Sequence, residues 1–166
     1  KHVSTPIFIP LWSRTFDPSW RPLSIDDPPD ILKEVRIKNV NKVIIGTLNI
    51  NSLAPKFEQL KVIIGNYLDI LVLQETKLDP SFSTEQFLID GYKIPYRLDR
   101  NRRGGGVIIY VREDIPSKLL SKHKFTKNIE GMFVEINLRK TKLLLFGTYH
   151  STHPEYGLSD AATSNN

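Results

Sequence analysis

Residues 70–76 read Ile-Leu-Val-Leu-Gln-Glu-Thr, four apolar side chains running straight into the carboxylate of Glu75. An ionisable group is costly where a buried strand leaves the core. The arrangement makes sense where the carboxylate holds a cation or a reacting group. An earlier apolar run, from Val43 to Leu48, ends in the same manner, in Asn49, Ile50, Asn51 and Ser52. Two strand ends, each polar at its C-terminal lip, point to one site assembled from neighbouring strands. An asparagine offers one carbonyl acceptor and two N–H donors, enough to hold an anion's oxygen and a carboxylate together. The plainer alternatives stay open. Glu75 can be a rim carboxylate paired with a lysine such as Lys77, and Asn49 can cap a turn at a strand end. Ser52 has no histidine near it in sequence to activate it as a nucleophile.

The elements that position these residues follow from periodicity. Val43–Asn51 and Asp69–Glu75 read as buried strands. Between them Pro55 opens a helix whose Phe57, Leu60, Ile64 and Tyr67 recur at three- and four-residue spacing and which ends near Asn66. Tyr92–Leu98 is extended, with Pro95 pushing it to a sheet edge. Arg100-Asn101-Arg102-Arg103-Gly104-Gly105-Gly106 is a basic turn leading into a short apolar strand, Val107–Val111. Its glycines fit a tight turn or bulge, since no nucleotide-binding Gly-Lys-Ser/Thr pattern occurs. Met132, Val134, Ile136 and Leu138 alternate with Phe133, Glu135, Asn137 and Arg139, the period of a half-buried strand. The turn at Arg139-Lys140-Thr141 returns Leu143–Thr148 beside it. One helix between two strands, followed by antiparallel hairpins, predicts an α+β fold with a mixed sheet. The open face of such a meander needs a second sheet or helices to cover it.

The chain has 166 residues, 40% hydrophobic and 25% charged, with a net charge of +5, which suits one globular domain and favours a polyanionic partner. It contains no cysteine, so disulfides, thiolate metal sites and cysteine nucleophiles are excluded. No apolar run reaches the roughly 18 residues of a membrane span, so no membrane partner is expected. Six of the eleven prolines (Pro6, Pro10, Pro18, Pro22, Pro28 and Pro29) fall in the first thirty residues. Neither helix nor sheet is expected across that leader. Ile31–Lys38 reads as a short helix capped by Asp30. The organisation is therefore a poorly ordered proline-rich leader over 1–38, a folded unit over 39–155 and a polar tail over 156–166. Lys122, His123, Lys124 and Lys127 form a second basic patch.

Four motifs stand in order: Leu48-Asn49-Ile50-Asn51-Ser52-Leu53, Ile70-Leu71-Val72-Leu73-Gln74-Glu75-Thr76, Gly104-Gly105-Gly106-Val107-Ile108-Ile109-Tyr110 and Phe146-Gly147-Thr148-Tyr149. Over roughly residues 40–155 the sequence resembles the endonuclease/exonuclease/phosphatase superfamily, most closely the apurinic-type endonuclease domain at the start of non-LTR retrotransposon polyproteins. The resemblance implies a four-layered α/β sandwich with mixed, largely antiparallel sheets, of which this chain carries part. It implies Mg²⁺-dependent hydrolysis of phosphodiester bonds in DNA. Glu75 then matches the metal-binding glutamate and Asn49 the strand-end asparagine that orients the phosphate. Tyr149 matches the tyrosine on the scissile phosphate, and Asn51 falls where some members carry a metal-linked aspartate.

Arg100, Arg102 and Arg103 are the candidates for following a nucleic-acid backbone, with a solvated loop as the bland alternative. The family's later Gly-Asp-Phe-Asn and Ser-Asp-His segments have no counterpart here. The expectation is accordingly the N-terminal half of such a domain, inactive alone. Two alternatives are carried with it: a non-catalytic nucleic-acid-binding remnant and a decayed partial gene product. In a functional element a reverse transcriptase would follow, and the site of action would be the nucleus.

Overall fold

Two strands, Ile70–Gln74 and Val107–Val111, are apolar on both faces, and the fold explains why. A computed structural model describes residues 7–10 and 30–151, apart from 127 and 140. The elements in chain order are β1 Ile7–Pro10, α1 Asp30–Lys38, β2 Ile44–Asn49, α2 Phe57–Ile64, β3 Ile70–Gln74, β4 Tyr96–Leu98, β5 Val107–Val111, β6 Ser117–Lys124, β7 Ile129–Leu138 and β8 Thr141–His150. The first sheet has the order β1-β2-β3-β5-β4, and the second is the meander β6-β7-β8. β1, β2 and β3 run parallel, whereas β5 is antiparallel to β3 and β4. The first sheet is therefore mixed and the second antiparallel, an α+β sandwich as predicted.

Alternation sorts the core into two layers. Leu71, Leu73, Ile108 and Tyr110 pack with Leu32 of α1 and with Phe57, Leu60 and Ile64 of α2. Ile70, Val72, Val107, Ile109 and Val111 face the other way, onto Met132, Val134, Ile136 and Leu145 of the second sheet. The first sheet is thus the middle layer, and its inner strands show continuous apolar runs because neither face meets water. The cover that the meander requires is this first sheet. Gly147 permits the close approach, because a Cβ there would lie 2.8 Å from Ile109 Cδ1. The opposite face of the meander is open among the described residues. It carries Phe133 stacked on Phe146 at 4.4 Å between ring centroids, with Phe125 edge-on to Phe146 and His123 beside Phe125.

Several local readings are sharpened. Pro55 lies within a single 3₁₀ turn, Ala54–Lys56, before α2 starts at Phe57. The helix stops at Ile64 because Gly65 takes φ +41° and donates its amide to Lys61 O, so Tyr67 lies beyond the helix rather than on its stripe. β4 is an edge strand, as Pro95 suggested. Two expectations are corrected. The leader was read as having no sheet, yet Ile7–Pro10 pairs with Ile44–Thr47 as the outermost strand. An edge strand leaves one row of amides unpaired, so a proline at its end removes no ladder bond that the sheet needs. β6 was not foreseen, because Ser117–Lys124 is mostly polar; it is an edge strand with only every second position sheltered. The rest of the leader and the 156–166 tail lie outside the described residues, as does Lys127 of the second basic patch.

At the end of β3 away from the two lips, Asp69 ties the layers together. Its Oδ2 accepts from the Ile44 amide and from Arg36, both at 2.7 Å, and its Oδ1 accepts from Arg112 at 3.1 Å. The carboxylate is buried and its partners come from α1, β2 and the end of β5, a network strong enough to hold a buried charge. Among the described residues no helix is long and apolar enough to cross a membrane.

Candidate functional site

The two polar lips meet. Asn49 and Gln74 are register partners on adjacent parallel strands. Past the strand ends the backbones stay joined. Ile50 N–H donates to Gln74 O at 3.0 Å, Ser52 N–H to Glu75 O at 2.8 Å and Leu53 N–H to Thr76 O at 2.9 Å. The non-glycine residues with positive φ among those described are Asn51, Ser52, Glu75 and Lys77, all of them on these lips. Left-handed backbone costs an L-residue about 1–2 kcal/mol. Four such residues at one junction mark a place where conformation is held against local preference, as at functional sites.

A third segment closes the lip from the other side. The Thr76 amide donates to Gly106 O and the Lys77 amide to Gly105 O. Gly106 has φ +88°, and a Cβ on it would run into the Thr76 hydroxyl. That hydroxyl is buried and has no hydrogen-bond partner among the described residues. The turn before these glycines is built by Asn101, whose Oδ1 accepts from the Arg103 amide at 2.9 Å and the Gly104 amide at 3.2 Å. The glycine run therefore serves a tight turn and a close approach.

From the second sheet, β8 brings Tyr149 to the same place. Its hydroxyl is hydrogen-bonded to Glu75 and to Ser151. Burial first, and then the charge of Glu75, hold the phenol above its ordinary range, while the Arg100 guanidinium pulls the other way. Glu75, Tyr149 and Arg100 thus form one cluster at the rim between the sheets.

Asn49 and Asn51 sit at the mouth, both exposed. Asn49 Oδ1 accepts from the Asn51 amide at 3.1 Å, so it caps the turn. Its Nδ2 carries the two N–H donors of the amide. Asn51 Oδ1 accepts from Lys77 Nζ at 2.5 Å. Lys77 therefore brings a positive charge to the mouth on Asn51 rather than pairing with Glu75. An ammonium on Asn51 Oδ1 suits a phosphate neighbour better than a cation ligated by that oxygen. Lys56 Nζ, bonded to Ile50 O at 2.7 Å and Asn51 O at 2.9 Å, adds a second positive charge.

The arginines separate. Arg100 is half-buried against the glycine turn. Arg103 is exposed. Arg102 folds back, donating to Asp79 Oδ2 at 2.7 Å and Ser81 Oγ at 2.6 Å and lying over the Phe82 ring. The hydrogen bond from Ser81, helped by Arg102, holds the Asp79 carboxyl below its usual range. Arg97 is spent on structure, with bonds to Asp99, Phe82 O and Thr84.

Two charged residues of the site, Lys56 and Glu130, escaped the sequence reading. Glu130 on β7 is 3% exposed, and its Oε1 accepts from the Gly106 amide at 2.6 Å. For Glu130 the signal was present. Extending the inward alternation of Met132, Val134 and Ile136 back by one step places a carboxylate inside the sandwich.

Among the described residues no group of three or more His, Cys, Asp or Glu side chains forms a metal cage. One accessible carboxylate beside neutral oxygen donors does not fit a closed structural site for zinc. It fits Mg²⁺, which keeps several of its waters and takes one or two protein carboxylates alongside substrate phosphate. A family model described as Endonuclease/Exonuclease/phosphatase family matches residues 46–163, more than half of the chain. No curated protein matches it.

Proposed function

The chain belongs to the endonuclease/exonuclease/phosphatase family, and on that premise we propose that its site hydrolyses phosphodiester bonds of DNA with Mg²⁺, in the manner of a retrotransposon-type endonuclease domain. The family points to phosphodiester or phosphate-ester hydrolysis and to a divalent metal. The observation that carries the finer reading is the meeting of Glu75 and Tyr149 at a mouth lined by asparagine, lysine and arginine side chains.

Each residue has a distinct task. Glu75 would hold the cation, whose contribution when bound is to neutralise charge on the phosphoryl oxygens. Tyr149 is placed to turn its hydroxyl onto a phosphate oxygen. Asn49 offers its amide N–H groups to another. Lys77 and Lys56 make the mouth electropositive at the point where negative charge grows in the transition state. Arg103 and Arg100 would follow the flanking backbone, with Arg102 released from Asp79, since exposed ion pairs are weak and exchange partners readily. As part of a functional retrotransposon element, such a domain would act in the nucleus, within a longer product that also carries a reverse transcriptase.

The test is plasmid nicking in Mg²⁺ by the chain and by its Glu75→Ala form. Metal-dependent nicking that vanishes with the substitution supports the proposal and overturns the expectation that this part of the domain is inactive alone. A second reading, nucleic-acid binding without cleavage, is favoured by the single accessible carboxylate. Salt-sensitive DNA binding with no nicking in any divalent metal would select it instead.

A further inference from the structure

Glu130 has no task in the chemistry just described, yet it is a buried carboxylate at the site. Its strand neighbour across the β7–β8 ladder is Tyr149, so both side chains lie on the inner face of the second sheet. The backbone of the pair is reinforced where Thr148 Oγ1 donates to Glu130 O at 2.9 Å. From this position Oε1 crosses to the first sheet and takes the Gly106 amide. A Cβ on Gly105 would lie 2.6 Å from that same oxygen and 2.5 Å from Arg100 Cδ, so Glu130 and Arg100 converge on one glycine. The carbonyls of Gly105 and Gly106 are meanwhile the acceptors for Lys77 and Thr76, the residues that follow Glu75.

We propose that Glu130 is a positioning residue: its carboxylate fixes the Gly105–Gly106 segment, which fixes the backbone carrying Glu75, while β7, which holds Glu130, is paired with β8, which presents Tyr149. One side chain thereby sets the separation of the metal ligand and the phosphate contact, which come from different sheets. A charge-assisted hydrogen bond is shorter and stronger than a neutral one, which suits a joint that has to be stiff. The inference rests on the metal-and-phosphate reading for its purpose, but its geometric content stands apart from it.

The experiment incorporates 3-fluorotyrosine, assigns the residue-149 fluorine resonance with Tyr149→Phe, and titrates Mn²⁺. In the wild-type chain Mn²⁺ at Glu75 broadens that resonance, and Glu75→Gln abolishes the effect. Glu130→Ala is expected to move the metal-free resonance and to raise the Mn²⁺ midpoint about ten-fold, the usual loss when a supporting group is removed. Glu130→Gln, which keeps an acceptor for the Gly106 amide, restores most of both. Val134→Ala, a buried site on the same strand, lowers the melting temperature and leaves the resonance in place.

If the alanine variant does not fold, Glu130→Asp, one methylene shorter, provides the same comparison. A residue-149 resonance unmoved by Glu130→Ala or Glu130→Asp overturns the inference. So does a glutamine variant that behaves like alanine. A wild-type resonance untouched by Mn²⁺ but moved by Glu130→Ala would sink the metal reading and leave the positioning role standing.

Discussion

The Tyr149 hydroxyl donates to the carboxylate of Glu75, joining the last strand of one sheet to the lip of a central strand in the other. Neither side chain has a local reason to be there. The pair exists because the two sheets pack face to face, and its chemistry is divided between a group that attracts a cation and one that contacts an anion.

That division predicts separable losses. Glu75→Gln should remove most Mn²⁺ affinity and all nicking. Tyr149→Phe should leave the Mn²⁺ midpoint within about three-fold and cut the cleavage rate by on the order of 10²-fold, the scale for one lost oxyanion donor. Isothermal titration and single-turnover nicking measure the two quantities. Equal loss of both in the phenylalanine variant would contradict the split.

At the far end of β3, Asp69 is expected to matter for stability and not for the site. Asp69→Ala takes a carboxylate from Arg36, which keeps Tyr67 O, and from Arg112, which keeps Asp114, and leaves the Ile44 amide without its acceptor. Leaving that buried donor unsatisfied costs about 1–3 kcal/mol. Urea denaturation should show a midpoint drop of that order, with Mn²⁺ affinity unchanged wherever the variant remains folded.

Two glycine exchanges should have opposite signs. Ser52 has φ +82°, and its amide bond to Glu75 O uses only backbone. Ser52→Gly should therefore stabilise by roughly 1 kcal/mol through relief of left-handed strain. Gly106→Ala places a methyl group against Thr76 at φ +88° and should destabilise by about 2–4 kcal/mol, strain and overpacking together. Thermal melts of the two variants settle both signs.

The alkaline limit follows from Tyr92. Burial, and then the nearby Asp69 charge, push its phenol from 10.0 up to about 12. Its hydroxyl donates to Leu68 O at 2.7 Å. The folded state prefers the neutral phenol, so this contribution is whole below about pH 10 and is lost as pH rises from there toward 12. The loss is on the order of 2–3 kcal/mol for a shift of that size. Tyr110 is shifted in the same direction by burial. Stability measured from pH 8 to 12 should fall beyond pH 10, and less steeply in Tyr92→Phe.

The central strands, α2 and the alternating strand were legible because burial imposes a period that composition cannot hide. Glu75 and Asn49 were legible for the same reason, as polar residues that interrupt apolar runs. β1 and β6 were not, since an edge strand needs few apolar residues and its pairing is decided by a distant partner. Glu130 was hidden because a buried carboxylate looks like any surface glutamate until its donor, twenty-four residues away in sequence, is known. The fold-back of Arg102 onto Asp79 is likewise a choice among neighbours that spacing alone does not make.

β3 and β5, sealed on both sides, carry a consequence for how freely this gene can drift. A surface strand forgives every other codon. Here Ile70–Leu73 and Val107–Val111 forgive almost none, because any polar replacement is stranded in one hydrocarbon layer or the other. In a saturation library, these nine positions would stand out as two uninterrupted blanks. A lineage released from selection would lose the protein there first, well before a missing carboxylate at the rim was noticed.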